Sequence, residues 1–216
     1  MRQKTSIETY FLQILDFFDK EGADVMVQGS TLLNILRRQT IEPRITNENK
    51  DNPSPPTIHT EDKEINLYML AEDFTSELYV KMRTIFPYFN SINNRMPNSG
   101  IFFGQSMWEQ NIGSNDHWSI EPGFTYLNLL WQGRTTRFKY QGGDNCILVP
   151  NKYVSDKDKW TKIKFLGREI NAPADVGDYL SYYYGNWKEE DMGWHWSKSP
   201  HYIKFDELIN LKEIPC

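Results

Sequence analysis

At 216 residues the chain has the length of one domain with an elaborated edge, and its 39% hydrophobic and 14% aromatic content supplies a core without disulfide staples. A formal net charge of -5, with 24 basic residues scattered rather than gathered in a stripe, excludes the electrostatic footprint of a duplex nucleic-acid binder but allows a small charged ligand in a local basic pocket. The only cysteines, Cys146 and Cys216, lie far apart, which excludes a disulfide scaffold or a cysteine-rich metal site and predicts reduced thiols.

The start, Met1-Arg2-Gln3-Lys4-Thr5, runs straight into a charged amphipathic pattern, with neither a signal peptide nor an apolar span. The expectation is a single soluble, cytoplasmic domain over 1–216. Ile7, Tyr10, Phe11, Ile14, Leu15 and Phe18 recur at helical spacing and predict a helix over about 6–20, with Thr5 and Glu8 as a capping box. Gly22 ends it, Asp24-Val25-Met26-Val27 reads as a buried strand, and Gly29-Ser30 leads into a second helix from Thr31 to about Arg38. Arg37 and Arg38 at the carboxyl end of that helix offset its dipole.

From Glu42 to Lys63 the chain is polar and proline-bearing, a long loop of the kind that often serves as a lid. Strands are predicted at Ile65 to Leu70 and Phe124 to Trp131, with a helix from Asp73 to Arg83 between them. Short strands follow at 137–140, 146–149, 162–165 and 168–171, then a helix from Ala174 to Tyr183. Residues 87–117, rich in Asn, Gly and Ser, fit no periodic template. The absence of regular strand–helix alternation predicts an α+β fold, with helices packed on a small mixed sheet.

Two groups of residues carry chemistry. Val27-Gln28-Gly29-Ser30-Thr31 is a strand turning through Gly-Ser into a helix, which aims backbone amides and a hydroxyl at an anion; a plain helix cap explains the same residues. Asp62, Glu64 and Asn66 alternate into a strand and form one polar row, able to hold Mg²⁺ against a diphosphate or simply to solvate the strand entry. Arg137, Lys139, Lys162, Lys164 and Arg168 alternate on strands, a pattern of a solvated basic face that also suits a donor phosphate. None of His59, His117, His195 and His201 has metal-ligand spacing.

Gly29-Ser30-Thr31-Leu32-Leu33, then Arg37-Arg38, then an acidic pair before an apolar strand, resembles the LicD family signature of Gly-Gly-Thr-Leu-Leu-Gly, a basic residue and Asp-x-Asp. Pro173, Tyr179-Leu180, Tyr184-Gly185 and Trp187 resemble the family's carboxyl-terminal block, and Trp194-His195-Trp196-Ser197-Lys198-Ser199-Pro200 resembles the Trp-x-Trp-Lys-x-Ser-Pro stretch of fukutin. The three blocks stand in the family's order from Gly29 to Pro200.

The resemblance to LicD/fukutin proteins implies a nucleotidyltransferase-like fold. It implies transfer of a phospho-alcohol, such as phosphocholine or ribitol phosphate, from a CDP-linked donor to a glycan acceptor. Gly29, Ser30, Thr31, Arg37 and Arg38 would bind the nucleotide. The catalytic positions fall on Glu64, Asn66 and Asn128, and Asp62 with Glu64 would hold Mg²⁺ or Mn²⁺. Asn66 and Asn128 depart from the family's acids: an amide oxygen can ligate but brings no charge, so one Glu with two Asn makes a poor Mg²⁺ site. Shifting the register by two puts Asp62 and Glu64 on the metal and keeps two carboxylates. The alternative is a family member that has lost catalysis and serves as a binding or assembly subunit. An adenylylating nucleotidyltransferase is a third reading, which the carboxyl-terminal blocks disfavour.

Overall fold

The computed structural model of the chain describes residues 7–42, 45–46, 57–58, 64–86, 88–92, 100–104, 124–140, 145–189, 199, 201–204, 207 and 211. Helix α1 (Ile7–Lys20) forms where the periodicity places it, and Ile7, Tyr10, Phe11, Ile14, Leu15, Phe17 and Phe18 are all buried. Each such side chain contributes about 1.5–3 kcal/mol when fully buried, which makes α1 a principal anchor of the core. Thr5, half of the expected capping box, lies outside the described residues. The Glu8 carboxylate instead accepts hydrogen bonds from Thr40 Oγ1 at 2.5 Å and Ile41 N at 3.2 Å, tying α1 to the segment that follows the second helix.

The central elements are β1 (Met26–Val27), α2 (Gly29–Arg38), β4 (Glu64–Leu70) and β7 (Phe124–Gln132). Between α2 and β4, within the segment expected as a loop, β2 (Ile45–Thr46) and β3 (Thr57–Ile58) pair antiparallel. A 3-10 turn at Ala71–Asp73 and α3 (Ser76–Ile85) follow β4, so this helix starts later than its sequence pattern suggests. Thr75 caps α3 by accepting from Leu78 N at 3.1 Å, which explains the later start. The aperiodic stretch contains β5 (Tyr88–Ile92) and β6 (Gly100–Gly104).

Beyond β7 come β8 (Thr136–Tyr140), β9 (Asn145–Pro150), the short helix α4 (Asn151–Val154), a hairpin of β10 (Thr161–Phe165) and β11 (Arg168–Ala172), α5 (Val176–Tyr184) and β12 (Tyr202–Lys204). Of these elements β8 to β11 and α5 lie where the sequence places them, whereas β12 and α4 were not expected.

The main sheet runs β1-β4-β7-β8-β9-β12, with β5 and β6 attached beside the first half of β7. β4 and β7 are parallel and every other pairing in the sheet is antiparallel, so the architecture is α+β with a mixed sheet and packed helices.

Strand alternation gives the two faces of β4 and β7 different characters. Ile65, Leu67 and Met69 line one face with Thr125, Leu127 and Leu129. The other face carries Asn66 and Tyr68 beside Tyr126 and Asn128. Helix α5 covers it, with Tyr179 Oη 3.5 Å from Tyr68 Oη and Tyr183 Oη donating to Leu148 O at 2.9 Å. Gly185, at φ 65°, ends α5 as its sequence suggests. No helix among the described residues is long and apolar enough to cross a membrane.

Candidate functional site

The turn from β1 into α2 is held by one residue of the neighbouring strand. Gln28 N donates to Asn66 O at 3.0 Å, Asn66 N donates to Thr31 Oγ1 at 2.8 Å, and Asn66 Nδ2 donates to Ser30 Oγ at 3.1 Å. Asn66 therefore grips the residues on both sides of Gly29. Gly29 has φ +59°, a left-handed conformation open to glycine at little cost. A Cβ there would meet Asn66 Cβ at 3.6 Å and Tyr184 Oη at 3.8 Å, ordinary contacts, so the backbone rather than space demands glycine.

No side chain caps α2: its N-cap is Gln28, extended at φ -147° and without a side-chain cap bond. The first-turn amides keep the partial positive charge that attracts an anion. Thr31 and Gln28 are buried, whereas Ser30 is only half-buried.

The structure brings the first and second sequence blocks together. Tyr184, from the end of α5, stands beside Gly29. Arg37 Nε donates to Trp187 O at 2.5 Å, and its Nη2 donates to the same oxygen and to Glu189 O at 2.7 Å. Arg38 donates to Glu42 O at 3.0 Å and to Asn34 Oδ1 at 3.4 Å. Both arginines thus hold backbone of the fold, Arg37 at the carboxyl-terminal block and Arg38 at the end of its own helix.

The three catalytic positions divide. Glu64 heads β4, two residues before Asn66, and its side chain and all of Asp62 lie outside the described residues. Asn128 is level with Tyr68, not with Asn66, whose partner on β7 is Tyr126. One same-face step along a strand is about 7 Å, so Asn128 sits that much deeper. It is fully buried; its Nδ2 donates to Leu67 O at 3.4 Å, and its Oδ1 has no hydrogen-bond partner in the structure. His59, His117, His195 and the Trp194–Trp196 stretch lie outside the described residues.

The alternating cations are not one solvated face. Arg137 and Lys139 are 4% and 7% exposed. Arg137 makes a two-pronged bond to Glu72, at 2.8 and 2.5 Å, and donates also to Ser155 Oγ and Leu130 O. Burial works against the charge on Glu72, but Arg137 outweighs it and holds the carboxyl below its ordinary 4.5. Lys139 Nζ stands 5.5 Å from the ring centre of Tyr68, whose hydroxyl burial pushes up to about 12. Lys162 and Lys164 are exposed on the hairpin, and Arg168 pairs with Asp16 and Asp19 of α1.

A cavity of about 410 Å³ opens at the far end of β4, lined by Glu21, Asp24, Asp73, Glu77, Lys81 and Lys157 among others. Its charges are matched internally: Lys81 lies 2.6 Å from Glu21 and 2.8 Å from Glu77, and Lys157 lies 2.8 Å from both Asp24 and Asp73. It is separate from the Gly29 turn, which adjoins the opposite end of the strand. No group of three or more His, Cys, Asp or Glu placed to hold a metal ion occurs among the described residues. The thiol of Cys146 is free and buried, and burial raises it to about 12.

Sequence reasoning missed the part Asn66 plays in the turn and the contact of Tyr184 with Gly29. Neither contact has a local signal, because both join segments far apart in the chain.

No family model matches the chain, and no curated protein matches it. Among solved structures it is similar to the lincomycin-bound crystal structure of the lincosamide antibiotic adenylyltransferase LnuA. The likeness has 14% identity and a TM-score of 0.44, over 80% of this chain and 84% of that one.

Proposed function

We propose that the protein is a nucleotidyltransferase-fold transferase of the LicD/fukutin type, moving a phospho-alcohol from a CDP-linked donor to a glycan acceptor. The observation that carries this reading is the turn at Gly29. A left-handed glycine opens an uncapped helix amino terminus, Ser30 flanks it, Asn66 of β4 grips it, and Tyr184 of the carboxyl-terminal block stands beside it. Residues of two separate stretches, Gly29 to Thr31 and Tyr184, lie side by side at that point.

In this reading the donor's diphosphate lies against the first turn of α2. The left-handed turn at Gly29 presents the α2 amides, which supply hydrogen bonds, and Ser30 adds a hydroxyl. Tyr184 stands beside the same turn. Arg37 and Arg38 support the elements around the turn through backbone carbonyls.

A divalent ion of the kind the resemblance implies would neutralise the departing nucleotide. Among the described residues Asn66 and Asn128 are neutral amides on different levels of the sheet, and these two alone make a poor site for such an ion.

The same amides favour the second reading, in which the protein binds the donor or a partner without transferring anything. The buried Asn128 in particular is out of reach of a ligand at Ser30. Incubation with CDP-choline or CDP-ribitol and a panel of glycan acceptors, followed by mass spectrometry, separates the two. CMP release with a phospho-alcohol on the glycan supports the transferase. CDP binding without any product leaves the binding subunit.

A further inference from the structure

We draw no further inference here: the strongest candidate, the acidic cavity of about 410 Å³ at the far end of β4, has its carboxylates paired within its own wall by Lys81 and Lys157, and no second observation among the described residues points to a ligand there.

Discussion

Arg37 on α2 is bonded through its guanidinium to the backbone carbonyl of Trp187, 150 positions further along the chain. The same group reaches Glu189 O, so one side chain fixes the segment after α5 against the helix that carries the candidate donor turn. Hydrogen bonds from a charged donor are worth about 1.5–3 kcal/mol, and here the acceptors are carbonyls outside any helix or strand ladder. Arg37→Ala is expected to lower the thermal midpoint by about 4–8 °C, for a cost of about 2 kcal/mol in a chain of this size. CDP affinity measured well below the transition should fall by much less than for a change at Ser30; an unchanged midpoint with abolished CDP binding would move Arg37 from scaffold to ligand.

Gly29→Ala tests the left-handed turn. The added methyl has room, so the penalty is the conformation alone, about 1–2 kcal/mol. A loss of that size in denaturant unfolding, without the larger loss of an overpacked core, is the expected result.

Glu72 and Arg137 couple stability to acid. Because the folded carboxyl is held below its ordinary 4.5, the pair's contribution is present above that pH and is lost as the pH falls through the lower folded value. Arg137→Met should cost about 2 kcal/mol at neutral pH, moderated because Glu72 is half exposed. The variant should also show a shallower loss of stability below pH 4.5, read from urea midpoints across the acid range.

His201 stacks on Tyr182, ring centres 3.3 Å apart, and its Nε2 lies 3.1 Å from Tyr182 O. Burial outweighs that carbonyl and holds the imidazole below its ordinary 6.5. Folding thus favours the neutral ring: its stabilisation is present above pH 6.5 and fades as the pH falls through the lower folded value. His201→Phe, which keeps a ring, should flatten the stability profile below pH 6.5; an identical profile in both proteins would contradict this role.

The elements of the core were legible where burial imposes a period. In α1 the stripe from Ile7 to Phe18 and in β4 the run from Ile65 to Leu70 mark buried surface directly. Registers between distant strands leave no such mark. Alternation says which face of β7 Asn128 occupies, but not that parallel pairing puts it beside Tyr68 and two residues past Asn66. Arg137 and Lys139 looked solvated for a similar reason: the partners that make burial tolerable for Arg137 come from Glu72, Ser155 and Leu130 of other segments. Strand β12 was missed because it has only three residues, Tyr202 to Lys204, and draws its order from pairing with β9. At the candidate site, the Gly-Ser turn was readable as local chemistry, whereas the grip of Asn66 needs β1 and β4 to be neighbours.

Asn128→Leu should be tolerated or stabilising, since the asparagine's Oδ1 is buried without a hydrogen-bond partner in the structure. Asn128→Asp should instead cost about 3 kcal/mol at neutral pH through burial of a charge. Thermal melts with and without Mg²⁺ check both; a midpoint of Asn128→Asp restored by Mg²⁺ would show that this position can reach a metal after all.

The most direct test of the account is hydrogen exchange of the backbone amides from Gly29 to Leu32, followed with and without saturating CDP. Slower exchange there, lost in Ser30→Ala, is the predicted result. CDP that binds while those amides exchange unchanged would place the donor elsewhere on the protein and contradict the central claim.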